Sequence, residues 1–304
     1  MIVDELPTLN DLLAAAARTL GQAGIEDAPR EARRLAELAL GIGAAEVFAR
    51  KIGPLAPEED AAFARLIAGR AARIPFARLA GEREFWSLSF RLVAATLVPR
   101  PETETLVEAA LARIGDRGAA LRVLDLGTGS GCLLLALLSE LPRATGLGVD
   151  TDLDGLDCAR ANAARLGLAA RTMWRQGDWA TGLDGLFDVV LANPPYVAEW
   201  EWGVLQPEVR DHDPKRALVA GASGLDAYRR IIPELPRLLA RAGESPRAIN
   251  VAPLPGRGGF ACLEIGAGQA GAITRDAAEA GLGVVEIRRD LAGIERCVVL
   301  ATAR

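Results

Sequence analysis

The run FDVVLA reads as a buried strand, and it ends in Asn193-Pro194-Pro195-Tyr196. Prolines can stop a strand for purely structural reasons, because proline has no N–H and pushes the residue before it into extended backbone. The company they keep here suggests chemistry. The Asn193 side-chain oxygen and the Pro194 carbonyl are two acceptors, Pro195 stiffens the turn that aims them, and Tyr196 adds a flat ring that can pack on a flat substrate group. Such a set suits a planar group with two N–H bonds, an amide or an exocyclic amine. The nitrogen lone pair of such a group is delocalised and attacks carbon poorly. Two acceptors would orient it and stabilise the positive charge that develops on nitrogen during attack. No general base is needed beforehand, because the N–H becomes acidic only after attack. His212 is the one histidine, which leaves no His-based triad or multi-histidine metal site; no metal is expected.

A second set lies upstream. VLDLGTGSG at 123–131 is a strand, a glycine-rich turn and the start of a helix. Gly127, Gly129 and Gly131 let backbone pass close to a ligand, and the helix presents free N–H groups to it. A dinucleotide fingerprint would place its third glycine at position 132, which is Cys132. The spacing G-x-G-x-G after the strand acid Asp125 instead resembles motif I of class I methyltransferases that use S-adenosylmethionine (AdoMet) and release S-adenosylhomocysteine. Asp150 ends the next strand, GLGVD, where a carboxylate can accept from both ribose hydroxyls. The following helix could be capped by Thr151 or Asp152 instead. In QGDW, Asp178 can accept from an adenine amino group, and Trp179 offers the ring a face or serves as a structural tryptophan. All these residues fall at carboxyl ends of adjacent parallel strands, where open α/β sheets bind ligands.

The elements that must position them follow from periodicity. Residues 8–75 predict three or four short helices, with Thr8 capping the first and Pro57 opening another. EREFWSLSFRLVAATLVP alternates apolar and polar residues and predicts a hairpin. From Pro101 onward, strands RVLDLG, TGLGVD, TMWRQGD, FDVVLANP, FACLEIG, VVEIRRD and RCVVLATA alternate with helices near 103–114, 130–140, 152–167, 225–241 and 268–281. The expected fold is α/β: a mostly parallel seven-stranded Rossmann-like sheet whose last two strands form an antiparallel edge hairpin, beside a small N-terminal helical bundle. The divisions expected are 1–76 for the bundle, 77–99 for a hairpin connector and 100–304 for the methyltransferase domain. The stretch 242–259, rich in Pro, Gly and Arg, reads as a long surface loop.

Bulk properties narrow the partners. The 304 residues are half hydrophobic and a quarter charged, with net charge −5, which speaks against a protein that coats nucleic acid through phosphate neutralisation. Four scattered cysteines without a C-x-x-C pair read as thiols in a reducing compartment. The opening MIVDELPTLNDLL has acids where a secretory leader needs bases, and no apolar run approaches the roughly 18 residues of a membrane span. A soluble, cytoplasmic monomer is expected.

Asn-Pro-Pro-Tyr after a methyl-donor motif leaves three acceptors open: adenine or cytosine amines in DNA, guanine amines in RNA, or a protein glutamine amide. A non-catalytic AdoMet-binding module is the other class, and the intact Asn193 and glycines weigh against it. Flanking segments narrow the choice. GEREFW at 81–86, LVPRPETETLVE at 97–108, PEVRDHDPKRAL at 207–218, GLDAYRRII at 224–232, LEIGAGQ at 263–269 and RDLAGIERCVV at 289–299 resemble, in the same order, the glutamine N5-methyltransferases of peptide-chain release factors. The resemblance implies methylation of the glutamine in the Gly-Gly-Gln loop of class 1 release factors, with AdoMet as donor. It maps Gly127, Thr128, Gly129, Ser130, Gly131, Asp150, Trp179 and Asn193 onto cofactor contacts, and Asn193 to Tyr196 onto the glutamine site. It places Arg100 and Glu102 beside the glycine turn with open roles, and makes the N-terminal bundle a docking surface for the release factor. Two departures stand out: the 242–259 loop is longer than the family leads one to expect, and His212 replaces a common aromatic.

Overall fold

The computed structural model describes residues 6–50, 53–240 and 258–302. Most of the expected 242–259 loop therefore lies outside the described residues. The chain divides into two compact units, one of residues 1–81 with 206–212 and one of residues 82–205 with 213–304.

The first unit is helical. Its opening helix, Leu9–Gln22, has the expected Thr8 cap in a reciprocal form: Asp11 N–H donates to the Thr8 hydroxyl, and Thr8 N–H donates to the Asp11 carboxylate. Helices Ala28–Leu40, Ala44–Ala49 and Pro57–Ala71 follow. Leu9, Leu20, Leu35 and Phe63 form the centre of a shared apolar core. The seven-residue return segment, with its short helix Pro207–Arg210, is held by charge. Glu208 accepts from Arg70 at 3.1 Å and from Arg73 at 2.7 Å, and Arg70 also reaches Glu31 at 2.8 Å. His212 closes this segment.

The second unit opens with the hairpin β1 (Glu82–Phe85) and β2 (Leu88–Arg91). Trp86 and Ser87 between them both have positive φ, which the two-residue turn needs and side chains resist. Two carboxylates hold that turn: Trp86 N–H donates to Glu104 and its indole N–H to Glu140. Phe85 and Phe90 are fully buried in this unit's core. The hairpin is therefore a packed part of the unit, a role its alternating sequence does not reveal.

Five parallel strands carry the core: β3 (Arg122–Leu126), β4 (Thr145–Asp150), β5 (Thr172–Gln176), β6 (Val189–Ala192) and β7 (Phe260–Glu264). With β8 (Leu282–Arg289) and β9 (Glu295–Thr302) the sheet order is β5-β4-β3-β6-β7-β9-β8. The last two strands pair antiparallel as expected, and β9 slots between β7 and β8. Side chains alternate between two cores. Val123, Val189 and Cys262 face the helices Glu104–Arg113 and Cys132–Glu140, whereas Leu124, Val190 and Leu263 face Tyr228, Leu235 and Ile273. Covering on both faces is why these strands read as near-continuous apolar runs.

One expected helix differs. The helix expected near 225–241 is, among the described residues, Asp226–Ile231, a tighter turn Ile232–Glu234, and Leu235–Leu238. Pro233 and Pro236 each lack the N–H that a continuous helix would use there. Among the described residues no helix is long and apolar enough to cross a membrane.

Candidate active site

The register decides which side chains meet. Strands β3, β4 and β6 end level with one another, with Leu126 beside Val149 and Ala192. The three carboxyl-end segments therefore open onto one cleft. Gly127, Gly129, Asp150, Trp179, Asn193 and Pro195 are among its lining residues, a concave mix of backbone, acid, amide and ring suited to a small molecule.

The glycine turn is built for close approach. Gly127, Gly129 and Gly131 have φ of 74°, 53° and 79°, a region that other residues adopt only with strain. A Cβ on Gly127 would also stand 3.1 Å from the Trp179 ring. Trp179 itself has φ of 51°, so strained backbone holds the indole against the turn.

Two carboxylates brace the turn. Asp150 accepts from Gly129 N–H at 2.8 Å and from Asp152 N–H at 3.0 Å, while Asp152 caps the following helix through Gly155 N–H. Asp150 lines the cleft, and each of its oxygens keeps capacity to accept a further hydrogen bond. Asp125 lies beneath, 1 % exposed, and accepts from the Thr128 hydroxyl at 2.6 Å. Its second oxygen, Oδ1, is buried without a partner. Burial pushes the Asp125 carboxyl up to about 7, against the pull of Thr128. Ser130 is buried, and its carbonyl accepts from Asn162.

Asn193 is part-buried at the cleft wall, and its Nδ2 donates to the Thr103 hydroxyl at 3.3 Å. That leaves its Oδ1 as the free acceptor. Pro194 is buried, and Pro195 lines the cleft. Tyr196 packs against the second core instead of lining the cleft; its carbonyl accepts from Gln269 Nε2 at 2.9 Å.

The cleft lining omits several residues expected at the site: Tyr196, the buried Asp125, Thr128, Ser130, Gly131 and Pro194, and also Asp178, Arg100 and Glu102. The Asp178 carboxylate is engaged by Arg230 at the surface, both side chains half exposed, so the adjacent Gly177 lines the cleft in its place. Arg100 donates to the buried Asp213 at 2.5 Å, and Glu102 is exposed in the turn Pro101–Thr103.

Two supporting residues escaped sequence reasoning. The Trp174 ring, on β5, fills the space over Gly148: a Cβ there would lie 2.5 Å from it, so the second glycine of GLGVD is a packing requirement. Asn162 is fully buried; it accepts from Arg91 N–H and donates to the carbonyls of Arg91 and Ser130. It ties the end of β2 to the glycine turn. Asn162→Leu leaves three backbone groups without this partner, the Ser130 carbonyl among them in a buried bond; at roughly 1–3 kcal/mol for a stranded buried group, a loss of about 2 kcal/mol is expected, read as a lower urea midpoint.

A mostly parallel sheet of this order, with a glycine turn after its first strand, an acid at the end of its second and Asn-Pro-Pro-Tyr after its fourth, defines a class I AdoMet-dependent methyltransferase. The positive-φ glycine turn, the Asp150 carboxylate at the cleft lining and the indole over the turn fit that cofactor. Comparisons agree: residues 11–81 match the family described as PrmC N-terminal domain, and residues 103–206 match the methyltransferase small domain. The release factor glutamine methyltransferase of Rhodospirillum rubrum is 42 % identical, over 96 % of this chain and 84 % of its own. That of Cereibacter sphaeroides is 42 % identical, over 95 % and 96 %. The chain belongs to the release factor glutamine methyltransferase family, enzymes whose methyl donor is AdoMet. The fold is also that of the hMettl16 catalytic domain solved in complex with MAT2A 3′UTR hairpin 6, at TM-score 0.55 and 18 % identity, covering 78 % of this chain and 82 % of that one. At such identity the likeness concerns the fold alone.

Proposed function

We propose that this enzyme methylates the side-chain amide nitrogen, N5, of the glutamine in the Gly-Gly-Gln motif of class 1 peptide-chain release factors. The observation that carries the reading is the Asn193–Thr103 hydrogen bond, which uses the amide nitrogen of Asn193 and leaves Oδ1 as an acceptor at the cleft wall. The names of the relatives support the same substrate.

Bound AdoMet supplies a sulfonium methyl, which the substrate nitrogen takes as the C–S bond breaks, leaving S-adenosylhomocysteine. Asn193 Oδ1 and the Pro194 carbonyl accept the two amide N–H bonds and hold the nitrogen in one orientation. As the nitrogen gains positive charge, both acceptors strengthen their hold, so they favour the transition state over the bound substrate. One N–H proton then leaves to solvent. In the cofactor half of the cleft, Asp150 would receive the ribose hydroxyls and Trp179 would cover the adenine. Asp125 secures the glycine turn from below through Thr128, with Gly129, Ser130 and Gly131 completing the cradle.

The same reading assigns residues 1–76 to docking the release factor, 77–99 to a connecting hairpin and 100–304 to transfer. It places the enzyme in the cytoplasm as a monomer, with no nucleic acid partner. Purified release factor incubated with methyl-labelled AdoMet and this enzyme should take up label. Replacing the motif glutamine should abolish the uptake, and full labelling of that variant would refute the assignment.

A further inference from the structure

A buried acid that the reaction above does not use stands directly behind its central residue. Glu264 is the last residue of β7, and β7 pairs in parallel with β6, the strand that delivers Asn193. Glu264 is 1 % exposed, and its Oε2 has no hydrogen-bond partner. A carboxylate placed so deep is costly, and an apolar residue of similar size would serve packing better. Its neighbours point to a role: the side chains of Thr103, which holds Asn193, and of Tyr196 both bear on the carboxyl and favour its charged form.

We propose that Glu264 is a positioning residue that sets the direction of a hydrogen-bond chain ending at Asn193, so that the Asn193 oxygen, and not its NH₂ group, meets the substrate amide. The proposal rests on the reading that Asn193 receives the glutamine amide.

Donor counting carries the argument. A carboxylate can only accept. Thr103 has one hydroxyl proton, and with Glu264 charged that proton turns toward the carboxylate. The Thr103 oxygen is then an acceptor on its other side. Only the NH₂ end of the Asn193 amide can satisfy it, as in the observed Nδ2 to Oγ1 bond of 3.3 Å. Oδ1 is thereby left facing the cleft.

A protonated Glu264 reverses the logic. It can donate to Thr103, and Thr103 can donate to Asn193, which stabilises the flipped amide. The cleft would then present N–H to the N–H of the substrate. Tyr196 belongs to the same support: its side chain favours the charged Glu264, while Gln269, five residues beyond Glu264, holds its carbonyl at 2.9 Å and takes Gly266 N–H at 2.9 Å. The segment LEIGAGQ thus braces the Asn-Pro-Pro-Tyr turn from behind.

The protonation state of Glu264 lies within reach of ordinary pH. Burial raises its carboxyl to about 7; Thr103, Arg296 on β9 and Tyr196 pull it down, and Glu102 pushes it up. Tyr228, Cys132 and Cys297 also lie within its field, each having its own ionisation raised by it. A carboxyl with a raised value is charged above that value and neutral below it. The aligned Asn193 should therefore dominate above about pH 7 and be lost as pH falls. Asp125 titrates in the same range, but it lies under the cofactor turn, so its protonation should alter KM for AdoMet and leave kcat at saturation alone.

The experiment is the pH profile of kcat, at saturating AdoMet and release factor, for the wild-type enzyme, Glu264→Gln and Thr103→Val. The wild type should lose activity toward acid with a midpoint near 7. Glu264→Gln can donate as well as accept, so kcat should fall about tenfold and the acid limb should vanish, with KM for AdoMet within about twofold. Thr103→Val breaks the chain without touching Glu264 and should likewise remove the acid limb, whereas Thr103→Ser should keep it. If Glu264→Gln fails to fold, the Thr103 pair decides alone. An acid limb that survives in Glu264→Gln, or in Thr103→Val, overturns the proposal while the glutamine reading stands. No transfer by the wild-type enzyme overturns both.

Discussion

Asn193→Ala should reduce the rate of methyl transfer about 10²–10³-fold, the range seen when one pre-aimed hydrogen-bonding group is removed from a transition-state site. The residue is part-buried at the cleft wall, and its one observed side-chain bond is to Thr103, so truncation removes little from the fold. The loss should appear in kcat. The acceptor it removes grows stronger as the nitrogen becomes positive and is worth less to the neutral amide in the ground state. AdoMet affinity should change no more than a few-fold, because the turn and the two acids that shape the donor half of the cleft are untouched. Single-turnover kinetics with pre-bound AdoMet separates the two effects. A variant that transfers at the wild-type rate would remove Asn193 from the reaction and revive the reading of a plain cofactor-binding fold.

Asp150→Ala is expected to weaken AdoMet binding about 10–100-fold. The carboxylate has two tasks, and the substitution removes both. It holds Gly129 N–H at 2.8 Å and Asp152 N–H at 3.0 Å, which fixes the glycine turn relative to the next helix. It also supplies the acceptors assigned to the ribose hydroxyls. Hydrogen bonds to a charged group contribute roughly 1.5–3 kcal/mol each, and a tenfold change in affinity needs about 1.4 kcal/mol. Asp150→Asn keeps an acceptor oxygen but loses the charge, so it should fall between the wild type and alanine. Calorimetric titration with AdoMet reads the series directly. Equal affinity across all three would move the ribose elsewhere.

How far the chain could be read in advance depends on whether a contact is local. The glycine turn, the Asp150 strand end and the Asn193 turn are short continuous stretches, and each carries its own signature in period, glycine spacing and proline. The mostly parallel sheet follows from the alternation of strands and helices, and its antiparallel last pair from the short link between β8 and β9; the strand order, with β9 between β7 and β8, does not. What stayed hidden lies in contacts distant in sequence. Asn162 looks like any polar residue on a helix until Arg91 and Ser130 are brought to it. Glu264 looks like a polar strand end until Thr103 and Tyr196 close over it. Glu208 meets Arg70 and Arg73 across more than 130 residues, and that pairing draws 206–212 into the helical unit. Asp178 shows the converse: its place after β5 suggested the cofactor, but Arg230 engages it at the surface. The divided helix after Leu225 was written locally, in Pro233 and Pro236.

The central claim is that the methyl group arrives on a glutamine side-chain nitrogen held by Asn193 and Pro194. Fragment mass spectrometry of the Gly-Gly-Gln peptide, taken from release factor treated with AdoMet and either wild-type enzyme or Asn193→Ala, tests it most directly. The account predicts one added methyl group, located on the glutamine side-chain nitrogen, with the wild-type enzyme, and a peptide almost entirely unmodified with Asn193→Ala at equal times. A methyl group on another residue, or equal modification by the two enzymes, would contradict it.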